Sequence, residues 1–444
     1  MQSQKAGSAD KPLRAMETSS TSGEASLPGV DPAHPAFRSG LKTLSWLLYD
    51  FANAWFSMVV LTAYYILYFK QVIVGGQKGY SDFLWGVTIS SAMAVSVLLA
   101  PILGATADAK GRKKSFMAAF ASLSIFSLFA LYFTGPGQKA WAMFLVSAGY
   151  VGYTLAMTFY NSFLPEIAPA GAIEKLSGFA WGLGYIAGLA ALVCMIFLVP
   201  NVAGGKAILL LAGAAYALFA LPSFFFLKDS PRQGAKGKRA ITEGFARLGA
   251  TFREIRRLKN IFLFLIAYFF VADAIATVIV FFSSYTVDTL RFTVTQNVIL
   301  LMLIQLSAAA GAIASGVVAK RIGLLKTIVI TIVIWILALL GIVIFQSIYD
   351  FYALSVCAGS VLGGTQATAR AYMAIEAPEG KKAEFFGFMT FSTKAAAIFG
   401  PLLYGTISDW TNNPRISVLS LEALFILGLF FMVVVLRREA RSRA

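Results

Sequence analysis

The sequence predicts an all-α polytopic membrane protein whose twelve transmembrane helices form two pseudo-symmetric six-helix bundles. Three observations predict it. The 444 residues are 58% hydrophobic and 13% charged, and the mean hydropathy of +0.74 lies far above that of a soluble domain. Apolar runs long enough to cross a bilayer, about 20 residues each, recur twelve times along the chain. Short motifs from the first half return in the second half after about 210 residues.

Residues 1–42 are rich in Ser, Gly, Ala and Pro and contain no apolar run, so a disordered cytoplasmic tail is expected there rather than a signal peptide. The N-terminal bundle is expected over 43–228, with spans near 45–69, 83–107, 115–134, 140–164, 177–199 and 205–227. Charged residues bracket them: Lys42 and Lys70 flank the first span, Lys110 to Lys114 separate the second from the third, and Lys139, Lys175 and Lys206 precede the next three. A connector over 229–259 follows. The C-terminal bundle is expected over 260–436, with spans near 260–284, 296–319, 327–347, 351–375, 386–407 and 416–436, and 437–444 form a basic cytoplasmic tail.

The net charge of +16 would suggest a nucleic-acid partner in a soluble protein, but here it falls mainly in loops. Of the 37 Lys and Arg, 29 lie on the side that carries both termini and the connector, 6 on the other side, and Arg370 and Lys394 inside spans. Positive charge accumulates on cytoplasmic loops, so both termini and the connector are expected in the cytoplasm. Within the connector, Ile241, Phe245, Leu248, Phe252 and Ile255 recur at steps of four and three, with Arg247, Arg253, Arg256 and Arg257 on the remaining surface. That spacing predicts an amphipathic helix along the leaflet or under the bundle; a solvated tether is the alternative.

Several chemistries lack their residues. Cys194 and Cys357 fall in apolar runs and the single histidine, His34, in the polar tail, which leaves no disulfide scaffold, metal site or cofactor to expect. No His-Glu-x-x-His, Gly-x-Ser-x-Gly or Gly-Lys-Ser/Thr pattern occurs, so neither a membrane enzyme nor an ATP-driven pump is expected.

The internal repeat points to a carrier. Gly104, Asp108, Gly111 and Arg112 end the second span, and Gly316, Lys320 and Gly323 end the eighth at the same offsets 212 residues later. Leu164-Pro165-Glu166-Ile167-Ala168-Pro169 with Ser177-Gly178-Phe179 returns loosely as Ile375-Glu376-Ala377-Pro378 with Phe386-Gly387-Phe388. Two similarly built halves joined by one loop are the trace of a transporter with its site at their interface. An acid beside a basic cluster at such a turn can latch one conformation, so Gly104, Asp108, Gly111, Arg112 and Glu166 are candidate cytoplasmic gate residues.

Gly104-Ala-Thr-Ala-Asp108-Ala-Lys-Gly111-Arg112-Lys-Lys resembles the loop signature of the major facilitator superfamily. Trp46-Leu-Leu-Tyr49-Asp50-Phe51-Ala52-Asn53, Leu164-Pro165-Glu166-Ile-Ala-Pro169, Ser177-Gly178-Phe179-Ala-Trp181-Gly-Leu-Gly-Tyr185, Ala383-Glu384-Phe385-Phe386-Gly387 and Gly400-Pro401-Leu402 are similar to the branch of autophagy-related vacuolar amino-acid effluxers and their bacterial relatives. The resemblance covers 45–436 and implies the major facilitator fold and secondary transport, with export of neutral amino acids the role assigned to fungal members. The chain departs from the pattern where Ala54-Trp55 replaces a small Ser-Ala pair, where Ala274 replaces a glycine, and where Lys320 replaces an acid.

A charge at mid-bilayer costs about 2.5–3.5 kcal/mol even on the lenient insertion scale, so each one retained needs a partner, a wet cavity or a job. Asp50 lies in span one, Asp273 in span seven, Arg370 in span ten and Lys394 in span eleven. Acids can bind an ammonium group or a proton, and the cations a carboxylate or phosphate; permanent pairing between the two signs is the structural alternative. Asn53, Tyr160, Asn161, Trp181, Tyr185 and Gln305 could line the same cavity, though each can equally serve packing. The expected function is therefore alternating-access transport of a small polar or zwitterionic metabolite such as an amino acid, with a proton as candidate coupling ion. Membrane lipids are the surroundings and a monomer is expected. A lipid or lysolipid flippase is the alternative, followed by a membrane-embedded enzyme or a transport-dead sensor. No Asn-x-Ser/Thr sequon occurs, which favours a bacterial plasma membrane over a vacuolar one.

Overall fold

A computed structural model describes residues 35–443 apart from 78, 168–172, 230–245, 247, 248, 251, 379 and 380. The expected disordered tail falls largely outside the described residues, as do Ile241, Phe245 and Leu248 of the expected connector helix. Leu41–Ala444 form one unit, and every regular element among the described residues is helical.

The N-terminal half consists of α1 (Pro35–Phe56), α2 (Tyr80–Lys110), α3 (Lys113–Tyr132), α4 (Lys139–Ser162), α5 (Ile173–Leu198) and α6 (Ala207–Phe226). The C-terminal half consists of α7 (Lys259–Ser284), α8 (Val294–Ile322), α9 (Leu324–Ile344), α10 (Ile348–Glu376), the pair α11 (Lys382–Ala396) and α12 (Phe399–Thr411), and α13 (Pro414–Arg443). Ten spans among the described residues are long and apolar enough to cross a membrane, with α11 and α12 counted as one. The fifth and tenth expected spans correspond to α5, of which Gly182–Leu198 is the apolar part, and to α10, whose Asp350, Gln366 and Arg370 dilute its apolar character.

Three departures from regular α-helix matter below. The chain leaves α1 through π-helical turns at Ser57–Ala63 and Phe69–Ile73. It leaves α7 through another at Tyr285–Thr289. A single eleventh helix is expected near 386–407, but the structure breaks it at Ala397–Ile398. Pro401 fits that break: it has no N–H for the Ala397 carbonyl and its ring excludes that carbonyl, which suits the first turn of a new helix, whereas Pro101 and Pro222 lie inside unbroken helices.

Small residues allow the helices to approach closely. Gly359 and Gly363 of α10 lie against Ser307, Ile304 and Ala308 of α8, leaving no room for a β-carbon, while Ser124 of α3 donates to the Gly149 carbonyl of α4 at 2.7 Å. Between the halves, Gly86 of α2 abuts the Pro401 backbone of α12, and Gly405 of α12 abuts Asp82 and Phe83 of α2. The repeat-related glycines Gly111 and Gly323 both take positive φ, 59° and 93°, at the α2–α3 and α8–α9 turns, a conformation that costs glycine little.

The described end of the connector is helical over 252–257 and docks on the C-terminal half. Phe252 stacks at 5.9 Å on Phe388, Ile255 is buried, and Lys381 Nζ bonds Glu254 at 2.8 Å. That carboxylate holds the Lys381 ammonium above the usual lysine range.

Gly363→Ala is expected to destabilise the protein by about 1–3 kcal/mol through overpacking. Gly316→Ala, at an exposed helical position with nothing within 4 Å of the new carbon, is expected to be neutral or slightly stabilising. Thermal unfolding of the purified variants compares them; equal losses would refute the close-contact account.

Candidate functional site between the halves

One turn separates Asp50 from Asn53 on α1, yet their surroundings differ. Asn53 is buried in the N-terminal half, where its Oδ1 accepts from the Tyr216 hydroxyl at 3.1 Å, and Tyr216 in turn lies 3.3 Å from the Tyr49 hydroxyl. Trp46 stacks on Tyr160 with ring centroids 4.6 Å apart and donates from Nε1 to the Tyr160 carbonyl at 3.1 Å. Asn53 and Tyr160 therefore belong to an aromatic interior shared by α1, α4 and α6. The Tyr160 hydroxyl is buried without a hydrogen-bond partner among the described residues.

Asp50 is partly exposed, and among the described residues no hydrogen bond or ion pair reaches its carboxylate. It faces α5: a β-carbon on Gly184 would sit 3.4 Å from Asp50 Oδ2. Its charge is also felt by Tyr153 and Tyr160 of α4. Lys394 comes to the same stretch of α4 from the other half, donating to Thr158 Oγ1 at 2.9 Å and to the Thr154 carbonyl at 3.3 Å. Arg370 of α10 is partly exposed, donates from Nε to the Gln366 carbonyl at 3.3 Å, and lies within electrostatic reach of Tyr185 on α5 and Tyr268 on α7. An acid from one half and two bases from the other thus border the seam formed by α4 and α5.

Asp273 sits elsewhere. It is 1% exposed, and its Oδ1 accepts from the Gly400 N–H at 2.9 Å. The carboxylate therefore caps the first turn of α12 just past the break, where unsatisfied N–H groups and the helix dipole favour negative charge. A β-carbon at Gly400 would collide with Thr277 and Asp273. Gln305 lies over Gly188 at the α5–α8 seam, Asn161 is exposed at the end of α4, and the Trp181 side chain lies outside the described residues.

At the end that carries the α2–α3 turn, Glu166 pairs with Lys113 at 2.9 Å. The Arg112 N–H donates to the Ala107 carbonyl at 3.0 Å, and Asp229 Oδ1 accepts the Lys114 N–H at 2.7 Å, capping α3. Gly104 has nothing within 4 Å of a built β-carbon, and the Asp108 side chain lies outside the described residues. Lys70, which the sequence reading counts among loop charges, is instead 5% exposed and bonded to carboxylates from both halves. The available signal was its place at the end of a long apolar run with Asp82 twelve residues later.

A helical bundle with ten membrane-length spans among the described residues and charged groups at the seam of its halves suits a membrane transporter, and its similarity to known proteins makes it one of the major facilitator type rather than an enzyme. Residues 41–444 match the profile described as vacuole effluxer Atg22 like, and the chain belongs to that family. It is 30% identical over 409 residues to the uncharacterized MFS-type transporter YxiO of Bacillus subtilis, covering 88% of this chain and 94% of that protein. It is 28% identical to autophagy-related protein 22 of Yarrowia lipolytica over 60% of this chain, a match that spans only 51% of the fungal protein. The fold is shared with a D-xylose-proton symporter at a TM-score of 0.68, with 13% identity, 89% of this chain and 97% of that one covered.

Asp273→Ala should remove the cap and cost about 1–3 kcal/mol for the buried N–H left unsatisfied, whereas Asp273→Asn keeps an acceptor and most of the stability. Thermal unfolding decides; equal loss in both variants would mean that charge rather than capping holds the residue in place.

Proposed function

We propose that the protein carries a small zwitterionic metabolite of the amino-acid class across the membrane by alternating access. The observation that carries this reading is the Asp50 carboxylate on one half, without a hydrogen bond or ion pair among the described residues, with Lys394 and Arg370 on the other. Such a pair of walls suits an ammonium group at Asp50 and a carboxylate at the cations, charge-assisted contacts that a substrate can make with both halves at once. Binding to both halves is what lets a ligand bias their relative motion. The names of the fungal relatives and the effluxer family support export. Asp273, protonatable and tied to the α12 break, is the candidate carrier of a coupling proton. The excess of Lys and Arg supports cytoplasmic termini, and the lack of an Asn-x-Ser/Thr sequon in the sequence supports a bacterial plasma membrane.

Reconstituted vesicles offered labelled amino acids, peptides, phosphorylated metabolites and lysolipids, with and without a pH gradient, test the reading. Saturable amino-acid exchange is expected. Asp50→Asn and Lys394→Met should each lower it about tenfold to a hundredfold, the worth of one hydrogen bond to a charged group. Lysolipid movement without amino-acid movement would replace the proposal with a flippase, and unchanged uptake in both variants would remove these residues from the site.

A further inference from the structure

At the end of the bundle opposite the connector, Lys70 is held between two carboxylates. Its Nζ lies 2.5 Å from Asp82 Oδ1 and 2.9 Å from Asp288 Oδ2, and it also bonds the Ser284 hydroxyl. Gln71 Nε2 donates to Asp288 Oδ1 at 2.8 Å, Ser408 Oγ to Asp82 Oδ2 at 2.8 Å, and Ser284 Oγ lies 3.3 Å and 3.4 Å from the two acids. Lys70, Gln71 and Asp82 belong to the N-terminal half, Ser284, Asp288 and Ser408 to the C-terminal half. Glycine contacts between Gly79 and the Ser408–Asp409 backbone and between Gly405 and Asp82 close the seam around the cluster.

We propose that this cluster is the lock of a gate at that end, with Asp288 the part that moves. The Lys70–Asp82 pair lies wholly within the N-terminal half, so it survives separation of the halves as a neutral unit. The bonds that must break are those from Lys70 to Asp288 and Ser284, from Gln71 to Asp288, and from Ser284 and Ser408 to Asp82. One cation facing two acids leaves one negative charge in excess, and a buried acid parted from its cation is strongly unfavourable; the closed state therefore depends on Lys70. Both Lys70 and Asp288 stand in π-helical turns, Phe69–Ile73 and Tyr285–Thr289, at matching ends of α1 and α7. Such turns hold an extra residue and are found often at functional sites. Relaxing one to α-helix shifts the register by one residue and swings a side chain by about 100°, enough to take Asp288 off Lys70.

The lock rests on the two-half transporter fold and not on the identity of the substrate. Spin labels at the exposed positions Gln77 and Thr295, in a Cys194→Ser, Cys357→Ser background in lipid nanodiscs, report the separation of the halves at this end. Lys70→Gln and Asp288→Ala are each expected to raise the ratio of long to short distances about tenfold, Lys70→Gln more because it strands two acids. Asp288→Ala leaves the Lys70–Asp82 pair intact and carries the test should Lys70→Gln fail to fold. Parental distances in Asp288→Ala would overturn the lock. Shifted distances in a protein that moves no amino acid would leave the lock standing and remove the substrate reading instead.

Discussion

An ionised group in hydrocarbon must be given a partner, a dipole or water, and this chain answers that constraint in three ways. Lys70, Asp82 and Asp288 neutralise one another across the seam. Asp273 is satisfied by the exposed N–H of Gly400 at the start of α12. Asp50, Lys394 and Arg370 stay partly exposed at the seam, where the first has no described partner and the second holds only neutral oxygens of the opposite half. The first two solutions are self-contained; the third leaves the charges of Asp50 and Lys394 available to something that enters.

The same division appears in the packing. Within each half, contacts are dense and mutual: glycines of α10 against α8, serines of α3 against α4, an aromatic stack joining Trp46, Tyr49 and Tyr160. Between the halves, contact concentrates where Gly86 and Gly405 bring α2 and α12 together at backbone distance. Smooth glycine surfaces carry few interlocking side chains, so two rigid bodies joined in this way can part without unpacking either interior. The ion cluster adds the directional bonds that glycine contacts lack.

Fold and connectivity were legible in the sequence because hydrocarbon thickness fixes the length of each apolar run and because the repeat spaces Gly111 and Gly323 alike; both glycines take positive φ at equivalent turns. The break in the eleventh span was hidden, although Pro401 is visible, because a proline in the first turn of a helix and one inside a helix read alike until the partner of the Ala397 carbonyl is known. The interior charges were countable, but their partners were not. Asn53 follows Asp50 by one turn and shares its apparent face, yet the bulk of Tyr216 and Tyr49 draws it into the half rather than the seam. Lys70 was misplaced for a related reason: a cation at the end of an apolar run can reach water, and only the approach of α7 from the other half makes burial the better outcome.

Geometry joins the seam site to the proposed lock through one element. α11 ends just after Lys394, which holds α4 of the opposite half. α12 begins under the Asp273 cap and runs nine residues to Ser408, which holds Asp82. At 1.5 Å per residue the two anchor points, Gly400 and Ser408, lie about 12 Å apart on one helix. The break at Ala397–Ile398 is the joint between that rod and the helix bearing Lys394. A ligand carboxylate that draws Lys394 away from Thr158 changes the load on this joint, and the rod carries any tilt to the Asp82 contact. Coupling of this kind needs no long chain of side chains; it needs a rigid segment, a hinge at one end and a bond between halves at the other, and α12 has all three.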